Sequence, residues 1–197
     1  MRDMIKMVVV LTVLAAFSGG LLAALRDATK DKIELQQLTF VKGPAIKSIF
    51  KDASNDPIAD RFKIKDGDAE VNFFVGVIDG KAKAVALESF GKGYGGDVGL
   101  MVGIDTETDT IIGAGVTTHA ETPGMGAKAK EDPAFTAQFK GVSVKEPIKV
   151  TGDGGTINAI SGSTITSRAV CGAATDVGAI YGRLKAQIQE NMKAFNK

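Results

Sequence analysis

Histidine and cysteine are almost missing from this 197-residue chain, which has one of each, His119 and Cys171. A lone cysteine excludes an intrachain disulfide framework and any thiolate cluster for zinc or iron–sulfur. A lone imidazole has no second imidazole to complete a metal site, and no nucleophilic triad follows from such counts. Cys171 itself falls among small residues of an apolar-periodic segment and reads as a buried structural thiol. An excess of one charge is also lacking: 24 Lys and Arg face 23 Asp and Glu, a net +1. Without a polycationic field there is nothing to attract a phosphate backbone, which argues against nucleic acid as a partner. Prolines number only five and 44% of residues are apolar, so the chain is not compositionally disordered. Its length allows one ordinary domain with an appendage, or two small domains. Glycine, in contrast, is plentiful at 24 residues, which points to tight turns and to close backbone approach.

Met7 to Leu25 form a run of 19 uncharged residues. As a helix rising roughly 1.5 Å per residue they span about 28 Å, close to the hydrocarbon thickness of a bilayer. The run exceeds the apolar core of an ordinary signal peptide, no clean small-x-small site precedes Arg26, and the only cysteine is too distant for a lipobox. Residues 1–25 are therefore expected to be a retained transmembrane anchor, with a cleaved signal as the alternative. Arg2 and Lys6 against Asp3 favour the short tail on the cytoplasmic side. The remainder is electrically balanced, so it offers no polybasic handle for anionic lipid and the apolar span alone must hold the membrane.

Residues 26–66 read as a stalk and connector. Ile33, Leu35, Leu38, Val41 and Ile46 suggest a helix that stops and restarts at Gly43-Pro44, followed by a polar, turn-rich connector from Lys51 to Asp66. The period then changes. Glu70–Ile78 and Lys81–Phe90 flank Asp79-Gly80, a strong hairpin signal, and Gly99–Asp105 and Thr110–Thr117 repeat the pattern. A short helix with Pro133 at its first position and an irregular edge strand over Val142–Val150 come next. Val170, Ala173, Val177, Ile180, Leu184 and Ile188 mark a final amphipathic helix that begins within Ser161–Ser167. The expected fold is α+β: a twisted antiparallel sheet with helices against one face, preceded by the membrane helix.

Three motifs bear on chemistry. Gly91-Lys92-Gly93-Tyr94-Gly95-Gly96 fits G-x-G-x-x-G, but a strand follows where a dinucleotide fold needs a helix, which leaves a glycine loop that either turns the chain or meets a ligand. Asp105, Glu107 and Asp109 alternate without the glycine and distant glutamate of a calcium loop, so they read as a solvated turn. Ser161-Gly162-Ser163-Thr164-Ile165-Thr166-Ser167 places hydroxyls and a glycine at a helix start, where amides and the helix dipole suit a phosphate; a plain N-cap cluster would look the same. His119 alone is either a loop residue or a ligand contact.

Taken together, HAETPGMG (119–126) and SGSTITS (161–167), some 40 residues apart and preceded by a Gly-Tyr-Gly-Gly hairpin loop and one apolar span, resemble the FMN-binding domain family. Within it the chain is similar to the G subunits of Rnf-type ion-translocating ferredoxin:NAD oxidoreductases, kin of the C subunits of sodium-translocating NADH:quinone reductases. The resemblance implies that residues 67–197 are an FMN-binding domain and that Thr164 carries FMN through a covalent phosphoester. Asn158 stands where that motif usually begins with Asp, and Ser163 replaces Ala.

A threonine hydroxyl is a poor nucleophile unless a base or metal activates it, and no base is evident beside Thr164. The family resemblance supplies a magnesium-dependent flavin transferase with FAD as donor. Ser161, Gly162, Ser163, Ile165 and Thr166 are then expected around the phosphate. His119, Glu121, Thr122, Pro123, Gly124, Met125 and Gly126 are expected along the ring, with the Pro123-Gly124 turn offering amides, and Tyr94 and Gly95 nearby. No metal ligand and no catalytic residue is assigned. The implied role is a one-electron relay among membrane subunits of a redox-driven ion pump in the inner membrane, with the flavin domain extracytoplasmic. A free-standing flavin reductase and a non-redox anion- or sugar-binding module are the competing readings.

Overall fold

The computed structural model describes residues 1–67 and 69–196 and, at Asp31, the backbone alone. The chain divides into two compact units, Met1–Leu38 and Thr39–Lys197. The first is occupied by helix α1, Arg2–Gln36. Its Arg2–Lys30 stretch is long and apolar enough to cross a membrane, and its large apolar side chains, Val8 to Leu25, are exposed.

Gln37–Lys42 winds as a π-helix and leads directly into α2, Gly43–Ile49. The helix was expected to stop and restart at Gly43-Pro44. Instead it widens by a turn, because Pro44 lacks an N–H and its ring crowds the carbonyl four residues back, a conflict that a shift to longer-range hydrogen bonding relieves.

Five antiparallel strands follow in simple up-and-down order: β1 (Arg61–Asp66), β2 (Ala69–Ile78), β3 (Lys81–Lys92), β4 (Asp97–Asp105) and β5 (Thr110–Val116). The Asp79-Gly80 turn forms as expected, with positive φ at both residues (52° and 75°), the twist that a two-residue hairpin needs. β1 corrects the expected connector. Its alternating Lys63 and Lys65 face solvent while Ile64 is buried, a half-buried edge strand whose charges mask its period. Val142–Val150 is not the edge strand expected. Its backbone pairs with the sheet at an isolated bridge from Ser143 to Thr110, its Val144, Ile148 and Val150 join the core, and Ile148 N–H donates to Thr175 Oγ1 at 2.9 Å. Two short helices, α3 (Lys128–Glu131) and α4 (Pro133–Ala137), lie between; Asp132 caps α4 by accepting from Ala134 N–H at 2.9 Å, with Pro133 at its first turn.

The last helix, α5 (Thr164–Met192), packs along β3, β4 and β1. Its Val170, Ala173, Val177 and Ile188 join Val98, Leu100, Val102 and Ile104 of β4 in the main core. Helices were expected on one face only, yet α2 covers the other. There Gly76, Gly103, Gly113 and Gly115 leave the sheet bare, and a Cβ at Gly103 would come within 2.3 Å of Ile49, one at Gly76 within 2.5 Å of Phe50. Missing side chains make that groove.

Asp109 also departs from expectation. Rather than a solvated turn residue, it is buried and accepts from Lys185 Nζ (2.5 and 2.8 Å), Tyr181 Oη (2.8 Å) and Lys145 Nζ (3.1 Å). The Lys185 hydrogen bond, helped by those of Tyr181 and Lys145, outweighs burial and holds its carboxyl at about 2. Since the folded value is depressed, the stabilisation is present above the unfolded carboxylate range near pH 4 and is lost as pH falls through about 2. The shift corresponds to about 2 kcal/mol. Asp109→Asn should therefore lower stability at pH 7 by about 2–4 kcal/mol, and the difference from wild type should shrink in acid titrations of urea-induced unfolding. An unchanged gap between pH 7 and pH 2 would contradict this assignment.

Candidate functional site

A cleft of about 480 Å³ opens where three distant segments meet: Tyr94 from the β3–β4 loop; Glu121, Thr122, Met125 and Gly126; and Gly162 to Thr166 at the start of α5. All of these residues are among those the sequence singles out. Five others stand outside the lining: Ser161, His119, Gly95, Pro123 and Gly124.

The hydroxyls at the helix start have different fates. Thr166 is 1% exposed and donates through Oγ1 to Glu121 Oε2 at 2.6 Å. Ser167, fully buried, donates to the Ser163 carbonyl at 3.0 Å and accepts from Ile160 N–H at 2.9 Å. Ser163 occupies the cap position, buried at 7% exposure, yet its side chain makes no capping hydrogen bond. Thr164, the first residue of α5, is exposed in the cleft. The first backbone amide of α5 engaged within the protein is that of Ser167, to Ser163 O at 3.0 Å. Among the described residues the amides of Thr164, Ile165 and Thr166 have no backbone partner, and they lie beside the cleft with the positive end of a 29-residue helix.

Glu121 sits at the base, 6% exposed. Its Oε1 accepts from Gly95 N–H at 2.9 Å, and its own N–H donates to His119 Nδ1 at 3.3 Å. Burial pushes its pKa up, but the Thr166 hydroxyl and the Gly95 and Tyr94 amides outweigh burial, and the net direction is down. The carboxylate is ionised and enclosed. This explains the glycine loop: a Cβ at Gly93 would lie 2.3 Å from Oε1 and one at Gly95 2.1 Å from the Ala120 carbonyl. Gly93 was not among the expected site residues; the G-x-G spacing was its signal.

Thr122-Pro123-Gly124-Met125 makes a tight turn with Gly124 at φ 76° and Met125 N–H on the Thr122 carbonyl at 3.2 Å. Pro123 has no N–H and that of Met125 donates within the turn, so of the Pro123-Gly124 pair only Gly124 carries a donor. Cys171 is buried, and burial with Asp153 nearby pushes its thiol up to about 11, which keeps it protonated and inert. No cluster of three metal-ligating side chains occurs among the described residues. A larger cavity, about 770 Å³, surrounds Asp109 further along α5. Its Lys145 and Lys185 are paired with Asp109 and its Arg183 with Asp66, so these three cations are already engaged.

Free amides at a helix start suit an anionic group, and the cleft is of a size that holds small cofactors. The sequence profile of the FMN-binding domain family matches residues 93–178, which contain every residue lining this cleft. Over longer stretches the chain is 33% identical to the G subunit of the ion-translocating oxidoreductase complex of Methanosarcina acetivorans, covering 87% of this chain and 91% of that protein. It is 34% identical to the corresponding G subunit of Cereibacter sphaeroides, covering 87% and 81%. The crystal structure of the C subunit of Na⁺-translocating NADH-quinone reductase from Parabacteroides distasonis superposes with a TM-score of 0.54 at 25% identity, covering 62% of this chain and 75% of that one. The chain belongs to the family of ion-translocating oxidoreductase complex G subunits.

Proposed function

We propose that this chain is a membrane-anchored electron-transfer subunit of an ion-translocating oxidoreductase complex, with FMN esterified through its phosphate to Thr164. One observation carries the assignment. Within the 161–167 run, Thr164 alone combines an exposed hydroxyl, a place in the cleft and adjacent open amides; Ser163, Thr166 and Ser167 are buried, and Ser161 is outside the lining.

The amides of Thr164 to Thr166 and the helix dipole would offset the charge left on the phosphodiester. Tyr94, Met125 and Ile165, exposed and apolar at the cleft, would cover part of the ring. When bound, FMN supplies one-electron chemistry, and a covalent tether keeps it from being lost. The carboxylate of the cleft, Glu121, is committed to Gly95 and Thr166, so attachment falls to a separate flavin transferase. In that reaction Thr164 Oγ attacks the phosphorus of the FMN half of FAD, the pyrophosphate bond breaks, AMP leaves, and the hydroxyl proton passes to a base on the transferase. α1 would hold the domain beside its redox partners, on the extracytoplasmic side.

Intact mass and peptide mapping of the full-length chain from its host membranes test this. The expected adduct is one FMN less one water, on the peptide containing Thr164. An unmodified chain from transferase-competent cells refutes the reading.

A further inference from the structure

Both oxygens of Glu121 are in use, and each joins a different part of the chain to the cleft floor. Oε1 holds the β3–β4 loop through Gly95 N–H at 2.9 Å; Oε2 holds the first turn of α5 through the Thr166 hydroxyl at 2.6 Å. Gly93 and Gly126 pack close against the carboxylate and leave no room there for a side chain: a Cβ would stand 2.3 Å from Oε1 and 2.4 Å from Oε2. A threonine within a helix commonly turns its hydroxyl back to a carbonyl of its own preceding turn. Thr166 instead reaches across to another segment, which fixes the rotation of the turn that also carries Thr164 and Ile165.

We propose that Glu121 is a positioning residue for flavin transfer: acting through Thr166 and the glycine loop, it sets the first turn of α5 so that the Thr164 hydroxyl and the open amides face the same point. This rests on Thr164 being the attachment site. Glu121 does not touch the reacting atoms. It supplies the rigidity that a transfer sensitive to sub-ångström placement needs.

The test uses the full-length chain in detergent with a flavin transferase, FAD and Mg²⁺, comparing initial transfer rates per folded molecule, with the folded fraction taken from thermal unfolding. Thr166→Val removes one hydroxyl and leaves the Gly95 bond, so it should fold. It should lower kcat for transfer at least about tenfold with little change in KM. Glu121→Ala, which removes this bond and the Gly95 bond, should lower it at least as much, and the double variant no further than Glu121→Ala, since the Thr166 connection is then already gone. Glu121→Gln should recover transfer to within about threefold, because its carbonyl can keep Gly95 and its amide can donate to a rotated Thr166 hydroxyl. Wild-type kcat per folded molecule in Thr166→Val overturns the proposal, even if Tm falls, and leaves the Thr164 reading intact. Should wild type itself take no flavin, the site reading fails and this proposal with it.

Discussion

Thr164→Val should give a folded, membrane-bound chain with no covalent flavin. Valine keeps the shape and branching of threonine and removes only the oxygen. Thr164 is exposed, lies one residue inside the cap position and carries none of the hydrogen bonds that anchor the helix start, so the change should cost less than about 0.5 kcal/mol. The effect on function, in contrast, should be complete: with no hydroxyl to esterify, in-gel flavin fluorescence and the adduct mass should both disappear. Thr164→Ser, which keeps a hydroxyl on the same carbon, should retain the adduct. Fluorescence surviving in Thr164→Val would move the ester to another hydroxyl and overturn the assignment.

A large stability effect is expected at Gly91→Ala. A Cβ on Gly91 would lie 1.9 Å from the carbonyl oxygen of Ala169, 2.6 Å from its carbon and 3.0 Å from its Cα. All three atoms are backbone of α5, so no side chain can rotate away and the helix must lift from β3. Overpacking of this kind costs about 3 kcal/mol or more, which for a unit of this size corresponds to a Tm lower by roughly 10 °C. Gly172, on the same helix, has open space where a Cβ would stand, with nothing within 4 Å, so Gly172→Ala should stabilise by up to about 1 kcal/mol through helix propensity. Thermal unfolding followed by circular dichroism separates the pair. Equal Tm values for the two variants would refute the close β3–α5 contact.

Much of this architecture is readable from local chemistry. Asp79-Gly80 encodes its turn in two residues, and α5 repeats its apolar positions from Val170 to Ile188, about five turns of helix, so neither depends on what lies elsewhere. β1 is harder because Lys63, Lys65 and Asp66 dilute a single buried isoleucine. Val142–Val150 misleads in the opposite way: Val144, Ile148 and Val150 are buried, but their backbone is held by turns and by Thr175 rather than by a strand. The cleft was legible as two motifs, since glycines and hydroxyls at a helix start have a stated physical use. The direction of Glu121 was not. A glutamate in a polar loop gives no sign that it turns inward, and only the glycines at 93, 95 and 126 hint that something bulky is enclosed. Asp109 was missed for the same reason, its partners Tyr181 and Lys185 being more than 70 residues away.

The walls of the cleft come from residues 94, 121, 122, 125, 126 and 162–166, which are brought together only after the β3–β4 hairpin is paired and α5 has docked on it. A linear peptide carrying Ser161–Ser167 would display the same hydroxyls without any of that enclosure. Whatever recognises the assembled pocket instead of the bare string of side chains therefore acts as an inspector of tertiary structure, accepting completed molecules and passing over unfinished ones.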